Sequence, residues 1–175
     1  MRFSPAECAV ETFSGKGPGG TIIYGDFREQ ADALVRRFAG TVQTVYLDPP
    51  FNTGKDFVLK QRVGESGWKT GKPVLTLPAY SDVWEDEREL YVMLREAAEL
   101  ARTLLRDDGS LFLHIDSRLH ARARLMLDEV FGEKAFVNEI IWAYKSGGRS
   151  QAHFSRKHDI ILFYRKTPQA YFNIA

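Results

Sequence analysis

At 175 residues and 44% hydrophobic side chains, the chain can build one domain with a real core but not two large ones. Lys and Arg total 24 against 23 Asp and Glu, so the net charge of +1 gives no global nucleic-acid signature, and any basic surface must be local. The single cysteine, Cys8, excludes an internal disulfide, and neither a membrane-length apolar run nor a signal-peptide start is present, so the expectation is a soluble, cytoplasmic protein.

Residues 1–20 are weakly patterned and read as a flexible lead-in. They contain a formal G-x-G-x-x-G at Gly15, Gly17 and Gly20. A dinucleotide site needs a strand before that run and a helix after it. Here a strand-like segment follows instead, so the run is not assigned that role. Residues 21–24 read as a short buried strand. Residues 26–39 read as a helix, because Phe27, Ala31, Leu34, Val35 and Phe38 share one face, and Gly40 is a natural stop. Residues 41–47 read as a second strand that runs into Asp48-Pro49-Pro50, where two prolines end the ladder.

Residues 52–83 read as a long irregular loop, punctuated by Gly54, Gly64, Gly67, Gly71, Pro73 and Pro78. The next helix carries the stripe Leu90, Leu94, Ala97, Ala98, Ala101, Leu104 and Leu105, followed by a turn at Asp107-Asp108-Gly109. Residues 110–115 form a third strand. Asp116 or Ser117 can cap a helix whose face is Leu119, Ala123, Met126, Leu127, Val130 and Phe131, ending at Gly132. Residues 137–144 and 159–165 are two further strands joined by a polar loop. The alternation implies an α/β sheet, mostly parallel, with an antiparallel edge made by the last two strands. Ligands of such sheets sit at the carboxyl ends of the strands, which places Asp26, Asp48 and Asp116 on one rim.

Asp48, Pro49, Pro50 and Phe51 carry the chemistry. The lone pair of an exocyclic amine on a base is delocalised into the ring. Accepting hydrogen bonds from its two N–H groups makes the nitrogen more nucleophilic, provided that it is also held in line with the group it attacks. A carboxylate and a fixed backbone carbonyl suit that task, and prolines supply the carbonyl without a competing N–H. An aromatic ring can then stack on a base taken out of the duplex.

The run Val45-Tyr46-Leu47-Asp48-Pro49-Pro50-Phe51-Asn52-Thr53-Gly54-Lys55-Asp56-Phe57 resembles the catalytic motif of the N4/N6 DNA amino-methyltransferases. More narrowly, it is similar to the permuted β-group that includes the modification subunits of type III restriction systems. Ile23-Tyr24-Gly25-Asp26, residues 110–116, Val130-Phe131-Gly132-Glu133 with Ile140-Ile141-Trp142, and residues 157–162 resemble further blocks of that family, in order. The resemblance implies a Rossmann-like methyltransferase sheet and methyl transfer from S-adenosylmethionine to DNA. Asp at the first motif position favours adenine N6 over cytosine N4. It also implies that Asp26 and Asp48 face the cofactor. Phe51 stands where Tyr is commoner, so stacking survives and a phenolic hydrogen bond does not. Candidate partners are DNA, a restriction subunit and a second copy of the chain; no membrane is implied.

A cofactor motif of the Phe-x-Gly-x-Gly type is not found after any strand. In the permuted group it lies further toward the C-terminus. The expectation is therefore that residues 21–175 are the catalytic part of the domain, with an incomplete sheet, and that the first strand, lacking its neighbours, is disordered, displaced or paired with another chain.

The alternatives for single residues are blander. Asp26 with Glu29 is a good helix-capping pair, Asp116 is a helix cap or a turn residue, and Phe51 is core. His114, His120, His153 and His158 lack metal-ligand spacing, and no metal is expected; His114, within a strand, reads as packed. Lys55, Lys145, Arg149, Arg156 and Lys157 are the candidate phosphate contacts, since two loops are locally basic. At the level of function, the alternatives are a cytosine-N4, RNA or protein amino-methyltransferase, or a DNA-binding fragment without turnover.

Overall fold

The computed structural model describes residues 9–13, 19–52, 55–62, 74–82, 86–145 and 151–174. The elements in order are β1 (Ala9–Phe13), β2 (Gly20–Tyr24), α1 (Phe27–Phe38), β3 (Val42–Leu47), β4 (Lys55–Arg62), β5 (Val74–Asp82), α2 (Glu87–Leu104), β6 (Leu105–Asp116), α3 (His120–Phe131), a 3-10 turn at Glu133–Ala135, β7 (Phe136–Ala143) and β8 (His158–Arg165).

The central sheet has four strands in the order β3-β6-β8-β7. β3 and β6 run parallel, while β8 is antiparallel to both β6 and β7, which gives the expected antiparallel edge. Alternation on β6 sends Leu111, Leu113 and Ile115 into the core and Phe112, His114 and Asp116 to the opposite face. On β8, Ile160, Leu162 and Tyr164 join the same core.

The covering layer is α2 and α3, through Leu90, Met93, Leu94, Ala98 and Ala101 and through Ala123, Met126, Leu127 and Phe131. Fully burying each of the larger side chains contributes roughly 1.5–3 kcal/mol. Helix α1 packs on the flank of α2. On the other face Phe112 stacks on Phe163 with ring centres 4.6 Å apart, and Phe172 lies over Phe163.

The turn between α1 and β3 is tied to the end of α2. Gly40 takes the left-handed φ of 64° that follows many helices, as its place after the apolar stripe predicts. The amides of Gly40 and Thr41 donate to the Thr103 and Leu104 carbonyls, which the end of α2 leaves without helical partners. These two bonds set β3 beside β6. The predicted turn at Asp107-Asp108-Gly109 lies within the span of β6, where four residues bulge out between the pairs Val42–Leu105 and Thr44–Ser110.

Three expectations need correction. The lead-in is not unpatterned throughout, since Ala9–Phe13 pairs antiparallel with β2 in a separate two-stranded ribbon. β2 is exposed along its length rather than buried, while its place outside the four-stranded sheet is the displacement expected of a first strand without its neighbours. Within the stretch read as a long loop, β4 and β5 form an antiparallel ribbon. The glycines and prolines hid it. Pro78 is tolerated because a two-stranded ribbon leaves one side of each strand unpaired, and a register shift opposite Phe57 and Val58 loosens the ladder there.

Two features of this packing can be tested by stability. A Cβ on Gly109 would lie 2.9 Å from the Arg106 carbonyl oxygen and 3.0 Å from that of Gln43, neither of which can swing aside. Gly109→Ala is expected to cost about 1–3 kcal/mol in urea unfolding. The second concerns Tyr164. Burial, and then the Asp128 carboxylate 2.6 Å from its hydroxyl, push the Tyr164 phenol well above its ordinary value near 10. The unfolded chain therefore ionises first, and stability is lost as pH rises above about 10. Tyr164→Phe should cost about 1 kcal/mol at neutral pH, and its deficit against wild type should shrink in melts above pH 10.

Candidate active site

The site is built where β3 and β6 end together. Leu47 pairs with Leu113, so the next residue, Asp48, emerges beside His114. The Asp48 carboxylate is 62% exposed, with Oδ1 3.3 Å from Nδ1 of His114. Nε2 of His114 lies 3.6 Å from Oδ2 of Asp159, at the start of β8. One imidazole thus sits between two carboxylates. Phe51 meets the same ring edge-on at 5.3 Å and is half-buried against the core, leaving part of it exposed. Tyr46 approaches His114 from β3 at 6.2 Å.

Asp116, at the end of β6, accepts from the amides of Arg118 and Leu119 at 2.9 and 3.3 Å, so it holds the turn ahead of α3, whose own N-cap is Leu119, rather than capping the helix itself. Its Oδ2 also takes the Arg118 guanidinium, which reaches across to the Phe51 and Asn52 carbonyls at 2.9 and 3.2 Å. Just past β7 and just before β8, the Tyr144 amide donates to the Lys157 carbonyl at 3.0 Å. Burial raises the Tyr144 phenol above its ordinary value, and the nearby charges of Asp159 and Asp116 raise it further. Burial and then the Asp48 charge do the same to Tyr46.

The expected residues fare unequally. Asp48, Pro49, Pro50, Phe51 and Asp116 come together on one rim. The sheet does not place Asp26 among them, because it follows β2, which is not a strand of this sheet. Its carboxylate caps α1 through the Arg28 amide and is paired with the Arg28 side chain, which holds its pKa below the usual range. Of the candidate phosphate contacts, Lys145 and Arg156 are exposed and Lys157 is half-buried, all at the end of β7–β8 that opens on this rim. Lys55 opens β4, its side chain lying outside the described residues, as does Arg149 altogether.

The sequence reading took His114 as packed and did not single out Arg118, Tyr144 or Asp159 as site residues. Alternation does put His114 on one face with Asp116, but its neighbours depend on the β3–β6 and β6–β8 registers, which no local pattern encodes. Among the described residues no group of three or more His, Cys, Asp or Glu could hold a metal ion, and no helix is long and apolar enough to cross a membrane.

Residues 42–175 match the family of N6/N4 methyltransferases described as DNA methylase. The chain is 28% identical to the EcoP15I Mod subunit, of a type III restriction-modification enzyme from Escherichia coli, over 85% of this chain and 24% of that protein. It is 30% identical to the StyLTI Mod subunit, of the corresponding enzyme from Salmonella typhimurium, over the same shares. The chain therefore spans about a quarter of the length of these relatives. A crystal structure of an assigned DNA modification methylase from Thermus thermophilus superposes with a TM-score of 0.52 at 17% identity, covering 82% of this chain and 52% of that one, which supports the fold.

Members of such a family use S-adenosylmethionine. The fit of the described residues to that cofactor is partial. Asp48 offers a carboxylate at the rim, whereas Asp26 is committed to Arg28. Gly25, beside Asp26, is no close-approach cradle, since a Cβ there would meet only the Gln30 side chain, at 3.9 Å.

Because Asp48 is so exposed, its removal should not disturb the core. Asp48→Asn and Asp48→Ala are expected to unfold within about 0.5 kcal/mol of wild type. A larger loss in thermal melts would make Asp48 a structural residue.

Proposed function

This chain belongs to the DNA methylase family, and from that premise we propose that it is the catalytic part of an enzyme that methylates adenine N6 in DNA, with S-adenosylmethionine as donor, within a restriction-modification system. The observation that carries the reading is the end of β3. There an exposed carboxylate, a two-proline turn and a half-buried aromatic ring lie within four residues, at the carboxyl edge of a parallel strand pair.

In this reading the Asp48 carboxylate accepts one N–H of the amino group and the Pro49 carbonyl accepts the other. Holding both protons in acceptors opposes delocalisation of the nitrogen lone pair into the ring and turns it outward. Phe51 offers its exposed part to the face of an extruded base. Lys145, Arg156 and Lys157 receive backbone phosphates at the end of β7–β8, which opens on the same rim. The donor supplies an electrophilic methyl group; what this chain's residues contribute is the orientation and activation of the nitrogen. A nuclease partner is proposed because the relatives are named as Mod subunits of restriction-modification enzymes.

A second reading, DNA binding without turnover by this chain alone, is favoured by the commitment of Asp26 to Arg28. The two separate in one assay. The chain is incubated with radiolabelled S-adenosylmethionine and duplex DNA, and the DNA is digested to nucleosides. The first reading expects label in N6-methyldeoxyadenosine, reduced about 100-fold or more by Asp48→Ala. Label in N4-methyldeoxycytidine moves the target to cytosine. Undiminished transfer by Asp48→Ala overturns the assignment. Salt-dependent DNA binding without any transfer supports the second reading.

A further inference from the structure

The turn after β3 ends in an unusual backbone. Asn52 has a φ of 53°, the one positive φ at a non-glycine residue among those described. That conformation disfavours residues with a Cβ, although Asn tolerates it better than most, and it persists where the surroundings over-determine it. The restraint is visible. Arg118 donates from Nη1 to the Asn52 carbonyl at 3.2 Å and from Nη2 to the Phe51 carbonyl at 2.9 Å. The same guanidinium is aimed by Asp116, through Nε to Oδ2 at 2.6 Å and Nη2 to Oδ2 at 2.5 Å. Asp116 is in turn fixed by the Arg118 and Leu119 amides ahead of α3, and its side chain is only 16% exposed.

An exposed arginine on a rim facing DNA is ordinarily a phosphate contact. Here three hydrogen bonds engage three of the five N–H groups a guanidinium possesses, on all three of its nitrogens, and Nη2 is also ion-paired with the Asp116 carboxylate. The planar fork suits two successive carbonyls and a carboxylate, a geometry that a lysine ammonium cannot reproduce. We propose that Arg118 is a positioning residue: through Asp116 it clamps the Phe51–Asn52 backbone, and so sets the direction of the Pro49 carbonyl and the Phe51 ring. The proposal rests on the reading of Asp48–Phe51 as the amino-group site, and it makes the end of β6 a structural part of that site.

The test compares wild type, Arg118→Ala, Arg118→Lys, Asp116→Asn and Asp48→Ala. The readouts are methylation kinetics, DNA affinity against salt, and amide hydrogen exchange at Phe51 and Asn52. The clamp predicts a kcat about 100-fold lower in Arg118→Ala, the cost of misplacing a reacting group by about 1 Å. DNA affinity and its salt slope stay at wild-type values. Arg118→Lys fails to rescue. Exchange at Phe51 and Asn52 rises about tenfold or more in all three clamp variants, while the amides of α2 stay protected.

Rescue by lysine, or a salt slope lower by about 1 together with weaker DNA binding, makes Arg118 a phosphate contact and overturns the clamp. So does unchanged exchange in Arg118→Ala. Failure of the underlying reading looks different. If Asp48→Ala methylates at the wild-type rate, the turn is not the amino-group site, whatever exchange at Phe51 and Asn52 shows.

Discussion

The register of one parallel strand pair governs the rest of the molecule. Leu47 lies level with Leu113, so the residues after β3 and the outward-facing residues of β6 meet at one edge. Nothing in Asp48-Pro49-Pro50-Phe51 alone gives it neighbours. It acquires His114, Asp116 and Arg118 because the α1–β3 turn is hydrogen-bonded to the end of α2 and because Gly109 admits β3 at close range. Core packing of α2 and α3 against β6 and β8 then makes that edge rigid.

The electrostatics of the edge follow from the same arrangement. Asp48, Asp116 and Asp159 end or begin adjacent strands and would repel one another if left bare. The structure interleaves them with His114 and Arg118. Asp116 is mostly buried and is committed to structure, whereas Asp48 keeps most of its surface open to a ligand. Three carboxylates that look equivalent in sequence therefore differ in availability, and availability is what separates a candidate acceptor from a turn residue.

The helices and inner strands are legible in the sequence because their signals are local. The stripe Leu90, Leu94, Ala98 and Ala101 lies on α2 and faces the core, and the alternation Leu111, Leu113 and Ile115 is buried on β6. Glycine and proline counts misjudge residues 52–83, since β4 and β5 gain their ladder hydrogen bonds from each other, across a separation that no local pattern encodes. Ile22 and Ile23 suggest a buried β2, yet both are exposed, because burial needs a neighbour that the four-stranded sheet does not provide. For the site, the motif at Asp48 is readable as chemistry. His114 and Arg118 are not, because their roles come from pairings across more than sixty positions of chain.

The central claim is that the turn from Asp48 to Phe51 holds an amino group of an extruded base. A crystal structure of this chain bound to duplex DNA tests it most directly. The account predicts an adenine out of the stack, its N6 about 2.7–3.2 Å from both an Asp48 carboxylate oxygen and the Pro49 carbonyl oxygen, with its ring against Phe51. An adenine amino group seated elsewhere, with Asp48 still turned to solvent, would contradict it.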